Sequence, residues 1–358
     1  MDTQQMFSLK GRTALVTGGS RGIGRMIAEG FVRQGARVYI SARKAEACDQ
    51  TARELSELGH CVSLPADVST MDGVKSLVDA YAAHEGQLGI LVNNAGAAWG
   101  APYDEFPESG WDKVVDLNMK SPFFLTQALT PMLRKSAAGA QLAKVINIAS
   151  IDGVSVNPWE TYSYAASKAG LIHLTKRMAT ELAPQRIVVS AIAPGPFASS
   201  MNKDARDHEG EVAGRVPLGR IGQPEDMAGA AIFLASRAGD YVVGGTLVVD
   251  GGVKKWACLG CPGGCGVQIS LSLNPERRPR WEVDQDFWQR PTVSPSIHQQ
   301  RMCRCHFWIR SGLIEWCKTE VELPDAALQT AEAGFRTKQP IDSADPERQV
   351  SAAAVTRR

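Results

Sequence analysis

From residue 12 to residue 250, short apolar runs alternate with longer segments whose apolar residues recur at intervals of three and four. The runs read TALVTG, RVYISA, CVSLPA, GILVNNAG, KVINIAS, IVVSAIAP and GTLVVDGG. They are apolar at successive positions, as a strand must be when helices cover both sides of its sheet. Segments 44–58, 70–84, 111–134 and 163–183 between them carry the spacing of amphipathic helices. Repeated strand–helix units specify a parallel sheet. The expected fold class is α/β: a doubly wound Rossmann-type parallel sheet of about seven strands with helices on both faces, its ligands at the carboxyl ends of the strands.

The pattern stops near residue 253. Cys258, Cys261, Cys265, Cys303, Cys305 and Cys317, six of the eight cysteines, and five of the eight tryptophans follow that point. Stretches there such as NPERRPRWEVDQ have neither helical nor strand periodicity. Residues 1–253 are therefore expected to form one domain. Residues 254–358 are expected to be a tail, largely disordered, with a short helix around 324–334. Two accounts of the tail stay open. Cys258 and Cys261 stand at C-x-x-C spacing, and Cys303, Cys305 and His306 add thiolate and imidazole groups, so a metal module is one. An appended extension without a selected fold is the other, and it is preferred, so no metal is expected.

The chain has 39 basic and 38 acidic residues, a formal net charge of +1, which points away from nucleic acid and anionic membrane as main partners. No stretch approaches the roughly 18 apolar residues of a membrane span, and MDTQQMFSLKGR is no leader pattern, so a cytoplasmic location is expected.

VTGGSRGIG joins the first strand to the first helix and places Gly18, Gly22 and Gly24 at G-x-x-x-G-x-G spacing. Glycine lets backbone approach a phosphate, and helix N-terminal amides stabilise its charge. The second strand ends in YISARK, with no carboxylate before Glu46. A carboxylate there would bind the ribose hydroxyls of NAD, and cations accommodate the 2′-phosphate of NADP. Ser41, Arg43 and Lys44, joined by Arg21, form a candidate phosphate clamp, and NADP(H) is the expected cofactor.

In ETYSYAASKAG, Tyr164 and Lys168 are four residues apart and share a helix face, whereas Tyr162 and Lys168, six apart, do not. If an ammonium acts on a phenol here, Tyr164 is that phenol, because a phenol titrates near about pH 10 and gives up its proton usefully only beside a cation; the pairing by itself also arises by chance. Tyr162 is left as a substrate-pocket wall or a helix-start packing residue.

TGGSRGIG, NNAG at 93–96, Asn118, Ser150, YAASK at 164–168, PG at 194–195 and DGG at 250–252 stand in the order seen in the short-chain dehydrogenases/reductases, which residues 7–253 resemble. The resemblance implies a catalytic tetrad of Asn118, Ser150, Tyr164 and Lys168. It implies that Gly18, Ser20, Arg21, Gly22, Ile23, Gly24, Ser41 and Arg43 hold the cofactor phosphates. Asp67 and Val68 would flank the adenine. Asn93, Asn94, Ala95, Gly96, Pro194 and Gly195 would line the cofactor, with Tyr164 and Lys168 binding its ribose. Ser150 would hold the substrate oxygen, with Trp99, Trp159, Tyr162 and Phe197 as candidate pocket walls. Segment 197–215 is similar to the family's substrate lid, with Ser199 or Ser200 near a usual threonine.

Within the family, FSLKGRTALVTGGSRGIG, SARKAEAC, NNAGAAWGA and INIASIDGVS look most like the 3-oxoacyl-[acyl-carrier-protein] reductases, the rhamnolipid-pathway type especially. The resemblance implies NADPH-dependent reduction of a 3-oxoacyl thioester, free or bound to its carrier, in a homotetramer; by their charge, Arg134, Lys135 or Arg186 are candidates to dock an acidic carrier. Another secondary alcohol or ketone, such as a sugar, polyol or cyclic ketone, is the alternative substrate, and a non-catalytic NADP-sensing protein is the alternative class.

Overall fold

A computed structural model describes residues 2–157, 159–199, 201–252, 256–260, 268–272, 282–285, 291–298, 306–311, 313–316 and 356–357. The chain divides into two compact units, Met1–Val253 and Lys254–Arg358. Seven strands build the sheet of the first unit: β1 (Thr13–Thr17), β2 (Arg37–Ser41), β3 (Cys61–Ser63), β4 (Ile90–Asn93), β5 (Ala143–Ile148), β6 (Ile187–Pro194) and β7 (Thr246–Val249). All pair in parallel, in the order β3-β2-β1-β4-β5-β6-β7. Each of the seven apolar runs of the sequence becomes one of these strands.

After the short α1 (Thr3–Phe7), the helices are α2 (Gly22–Arg33), α3 (Ala45–Ser56), α4 (Met71–Ala82), α5 (Glu108–Val115), α6 (Ser121–Ala137), α7 (Tyr162–Leu182), α8 (Lys203–Asp207), α9 (Glu209–Ala213) and α10 (Pro224–Ala235). Successive strand residues point to opposite faces, so each strand feeds two cores. Val16, Ile40, Ile146 and Ile192 join Ile27 and Phe31 of α2, Leu55 of α3 and Leu234 of α10. Leu15, Val145 and Val189 join Leu77 of α4, Leu125 and Leu129 of α6, and Met178 and Leu182 of α7.

β1 pairs with β2 from Thr13↔Arg37 to Thr17↔Ser41 and with β4 from Ala14↔Ile90 to Val16↔Val92. Strand order therefore reverses at β1, and the carboxyl ends of β1 and β4 frame the crevice where ligands of such sheets sit.

The second unit contains two antiparallel sheets. One holds β8 (Trp256–Gly260), β9 (Gln268–Ser272) and β14 (Thr356–Arg357), in the order β14-β8-β9; the other runs β10 (Glu282–Gln285), β11 (Pro291–His298), β12 (His306–Arg310) and β13 (Leu313–Trp316). Val293, Ile297, Phe307 and Ile309 are buried, while Arg310 stacks 4.9 Å over the Trp308 ring and pairs with Glu315 at 3.2 Å. The expected helix at 324–334, and Cys261, Cys303 and Cys305 of the metal account, lie outside the described residues.

Candidate active site

The glycine loop leaves β1 and enters α2. Gly18 and Gly22 have φ of +65° and +52°, a region that favours glycine. A Cβ on Gly24 would collide with the Gly18 carbonyl, and one on Gly18 would stand 2.7 Å from Asn94 Nδ2. Arg21 is the N-cap of α2, and no side chain caps the helix's first amides. The loop is therefore a bare cradle of N–H groups at a helix N-terminus, suited to a phosphate. Gly19 N–H donates to Ser41 O at 3.1 Å, which ties the loop to the end of β2. Ile23 packs on the core, and the Ser20 carbonyl accepts from Thr51 Oγ1 at 2.9 Å.

The Ser41 hydroxyl, at the carboxyl end of β2, is buried without a hydrogen-bond partner. Arg43 is largely exposed, its Nη1 4.0 Å from Asp67. Asp67 also accepts from Ser69 Oγ at 2.7 Å, and Val68 is buried in the core. Asn94 donates from Nδ2 to Thr17 O at 2.9 Å, and Thr17 Oγ1 accepts from the backbone N–H groups of Asn94 and Ala95 at 3.0 Å each. These bonds clip the ends of β1 and β4 together. Asn93 turns inward instead: its amide donates to Asn147 Oδ1 at 2.8 Å and to Thr126 Oγ1 at 3.1 Å, so it braces β4, β5 and α6 beneath the crevice. Pro194 ends β6, and Gly195 donates to Val249 O at 2.9 Å.

α7 places Tyr164 and Lys168 on one face, with Lys168 Nζ 5.7 Å from the Tyr164 ring centroid. Tyr162 points elsewhere, its ring edge-on to Tyr103 at 5.5 Å and Phe106 at 5.7 Å. Lys168 is buried and donates to Ile148 O at 2.7 Å. Burial pulls its ammonium down to about 8. Burial likewise pushes the Tyr164 phenol up to about 12; the Ser150 hydroxyl opposes that shift and the Asp152 carboxylate adds to it.

Asn118 lies in a π-turn, Asp116–Lys120, between α5 and α6. Such turns re-aim side chains within a helix and recur at functional sites. Asn118 Oδ1 accepts from Ala97 N–H at 2.8 Å, and its Nδ2 donates to Ala97 O at 2.9 Å and Ser167 Oγ at 3.0 Å. A Cβ on Gly96 would stand 3.2 Å from Asn118 Oδ1 and 3.8 Å from Lys168 Nζ, so these three residues converge. Ser150 caps a 3-10 turn, Ile151–Gly153, its Oγ accepting from Asp152 N–H at 3.1 Å. With that lone pair engaged, the hydroxyl hydrogen is directed toward other acceptors.

A family model described as enoyl-(acyl carrier protein) reductase matches residues 18–254. The chain belongs to the short-chain dehydrogenase/reductase family. It is 48% identical over 250 residues to the rhamnolipids biosynthesis 3-oxoacyl-[acyl-carrier-protein] reductase of Pseudomonas aeruginosa, a match covering 69% of this chain and 97% of that one. It is 38% identical over 250 residues to the 2-dehydro-3-deoxy-D-gluconate 5-dehydrogenase of Escherichia coli, covering 69% and 96%. Among solved structures, the Pseudomonas aeruginosa RhlG/NADP active-site complex superposes with a TM-score of 0.67 at 47% identity, covering 70% of this chain and 98% of that one. A second family model, described as bacterial ubiquitination-like system serine protease, matches residues 236–317.

The remaining candidates of this short-chain dehydrogenase/reductase separate into two groups. Trp159 stands exposed on the loop after β5, with Val154 and Val156 beside it in sequence. Trp99 lies flat on α5, where a Cβ on Gly110 would be 2.8 Å from its ring, and Lys113 Nζ sits 5.1 Å from its ring centroid. Phe197, expected as a pocket wall, is only 2% exposed and belongs to the core, its ring filling the space that a side chain at Gly222 would take. Ser199 reaches the glycine loop, 3.2 Å from where a Cβ on Gly22 would be, and Ser200 lies outside the described residues.

The cations expected to dock a carrier lie at the amino ends of β5 and β6. Arg134 bonds Gln185, and Arg186 bonds the carbonyls of Ala137 and Gly139, where β5 and β6 begin. Lys135 occupies the same last turn of α6. A cavity of about 160 Å³ lined by Lys10, Arg12, Gln87 and Gln141 is also at that end and includes none of the site residues. Three contributors were not singled out from sequence: the Ile148 carbonyl, which no side-chain pattern reveals; Ser167, visible only as part of YAASK; and Asp152. Among the described residues no helix is long and apolar enough to cross a membrane.

Proposed function

We propose that the first unit is an NADPH-dependent reductase of 3-oxoacyl thioesters. The observation that carries the substrate class is the set of exposed apolar side chains on the loops at the carboxyl ends of β5 and β6: Val154, Val156, Trp159 and Met201. A site for a sugar acid would present hydrogen-bond donors there, because a hydroxyl left unpaired against apolar groups costs free energy. The similarity to a 3-oxoacyl-[acyl-carrier-protein] reductase supports the same choice. The RhlG/NADP complex, the glycine cradle and the unpartnered Ser41 hydroxyl support NADP(H), with Arg43, Lys44 and Arg21 about the 2′-phosphate.

When bound, the nicotinamide supplies the hydride to the carbonyl carbon. Ser150 donates its hydroxyl hydrogen to the carbonyl oxygen and fixes its position. Tyr164 gives that oxygen its proton as the charge develops. Lys168, held on Ile148 O and close to the Tyr164 ring, lowers the cost of the phenolate left behind. Asn118, held on the Ala97 backbone, fixes the α5–α6 side of the site against Ser167 and α7.

The test is NADPH oxidation with 3-oxoacyl thioesters of increasing length beside ketoses and sugar acids. Each methylene buried contributes about 0.8 kcal/mol, so kcat/KM is expected to climb about fourfold per carbon until the apolar surface is covered. A ketose or keto sugar acid outperforming every thioester overturns the acyl assignment.

A further inference from the structure

The Ser20–Arg21 peptide lies between glycines, Gly18 and Gly19 before it and Gly22 after it. Glycine rotates freely, so a stretch of this composition does not by itself choose which way its peptide groups face. A phosphate, however, is held only by N–H groups that point toward it. The first peptide of the loop shows how the choice is made. Gly19 N–H donates to Ser41 O at 3.1 Å, and on the other side the carbonyl of the same peptide, Gly18 O, accepts from Asn94 Nδ2 at 3.2 Å. Further along, Ser20 O accepts from Thr51 Oγ1 at 2.9 Å. A trans peptide sets its C=O and N–H in opposite directions, so the Arg21 N–H points away from Thr51. Among the described residues that N–H makes no hydrogen bond. Thr51 itself is firmly seated. It is 3% exposed on α3, on the side of Cys48 and Leu55, which enter the core, and an Arg25–Glu54 ion pair at 2.7 Å ties α3 to α2. Its one hydroxyl hydrogen is shared between Ser20 O and, 3.0 Å away, Ala47 O one helical turn back.

We propose that Thr51 is a positioning residue of the cofactor site: from its seat on α3 the hydroxyl fixes the Ser20–Arg21 peptide so that the Arg21 N–H is presented to a phosphate of NADP(H). The inference rests on the cofactor reading of the glycine loop and is independent of the substrate. Thr51 stands 31 residues beyond Ser20 and belongs to none of the motifs of the sequence. Without its hydroxyl the peptide regains the freedom that its glycines allow, and only molecules with the N–H turned outward are competent to bind. The apparent affinity then falls by the competent fraction. One net hydrogen bond shifts such a balance by about two- to tenfold. The proton and carbonyl groups of the reaction, on α7 and after β5, are untouched by this change. Thr51 therefore acts on cofactor affinity and not on the hydride step.

The test titrates NADPH, with no substrate present, into the full-length wild type and the Thr51→Val and Thr51→Ser variants, and reads the dissociation constant from NADPH fluorescence. Thr51→Val keeps the branched shape and removes the hydroxyl, so its constant should rise about fivefold or more. Thr51→Ser gives up a methyl group but keeps the hydroxyl, and should bind NADPH as the wild type does. With a 3-oxoacyl thioester added, kcat at saturating NADPH should change by less than about twofold in either variant, while the KM for NADPH follows the dissociation constant. An unchanged NADPH constant in Thr51→Val overturns the proposal. Equal weakening in Thr51→Val and Thr51→Ser overturns it too, because packing and not the hydrogen bond would then be responsible. So does a loss of kcat in Thr51→Val as large as its rise in the dissociation constant. A wild type that binds no NADPH overturns the cofactor reading and the role of Thr51 with it.

Discussion

A phenol whose proton is held up to about pH 12 donates poorly by itself, and in the proposed mechanism Lys168 is the group that makes Tyr164 useful. Tyr164→Phe should lower kcat by about 10²- to 10⁴-fold, the usual worth of a positioned acid, while the NADPH dissociation constant from fluorescence titration stays nearly constant. Tyr162→Phe keeps the ring that meets Tyr103 and Phe106 and should be mild. Equal losses in the two variants would undo the assignment. The separation of the two tyrosines was legible in the sequence, because helical spacing alone decides which faces Lys168. Phe197 was not: its neighbour Gly222 is remote in sequence, and nothing local distinguishes a core phenylalanine from a pocket one. The position of Lys168 also sets a pH dependence. Its ammonium titrates at about 8 in the folded chain, so the reduction kcat/KM should be level below that pH and fall as pH rises through it. Stability runs the other way. The unfolded lysine keeps its proton up to the ordinary value of 10.5, so between about 8 and 10.5 the contribution of Lys168 to stability rises with pH, while the Cys61 thiol, pushed by burial from 9.0 up to about 12, opposes it above pH 9.0. Lys168→Met should reduce that rise in urea midpoints measured at pH 8 and 10. Lys144, lowered by burial too, acts in the same direction and keeps part of it.

At the scale of elements, α7 is gripped from two sides. The Ile151–Gly153 turn meets its backbone at Lys168 and Ala169, and Met119 of the π-turn comes within 2.6 Å of where a Cβ on Gly170 would be. Real Cβ atoms do not tolerate such distances, so Gly153→Ala must lift the turn from α7 and carry Ser150 away from Tyr164. The expected result is a loss of about 1–3 kcal/mol in stability by urea unfolding and a fall in kcat larger than any rise in the KM for NADPH. A variant that loses stability but keeps kcat would show that the turn does not position Ser150. The strands and most helices were readable because burial on both faces forces apolar runs and helical spacing forces a period. The break at Asn118 was hidden, since an i→i+5 turn leaves no mark in the pattern of apolar residues. The seating of Trp99 on Gly110 was hidden for a related reason: a glycine reserved for a ring from another element reads as any helix glycine.

On the scale of the molecule, every residue of the proposed site precedes 253, and the first unit ends at Val253. A chain ending after Lys255 is expected to retain kcat/KM to within about twofold, because every residue of the proposed site lies before the cut. Loss of NADPH turnover in soluble truncated protein would mean that the second unit completes the first. The sequence showed where the second unit begins through its change in cysteine and tryptophan content, but its strands β8 to β13 carry no period long enough to be read in advance. The sheet order of the first unit has one more consequence. The earliest strand of this sheet in the chain, β1, lies in its interior, flanked by β2 and β4. A ribosome therefore delivers a strand that is buried at every position in the finished fold well before its second neighbour exists, and the growing chain exposes that open edge until Ile90–Asn93 has emerged. Pairing between distant segments is slow and such edges invite association, so de novo synthesis of this protein should lean on chaperones more than its finished, covered sheet suggests.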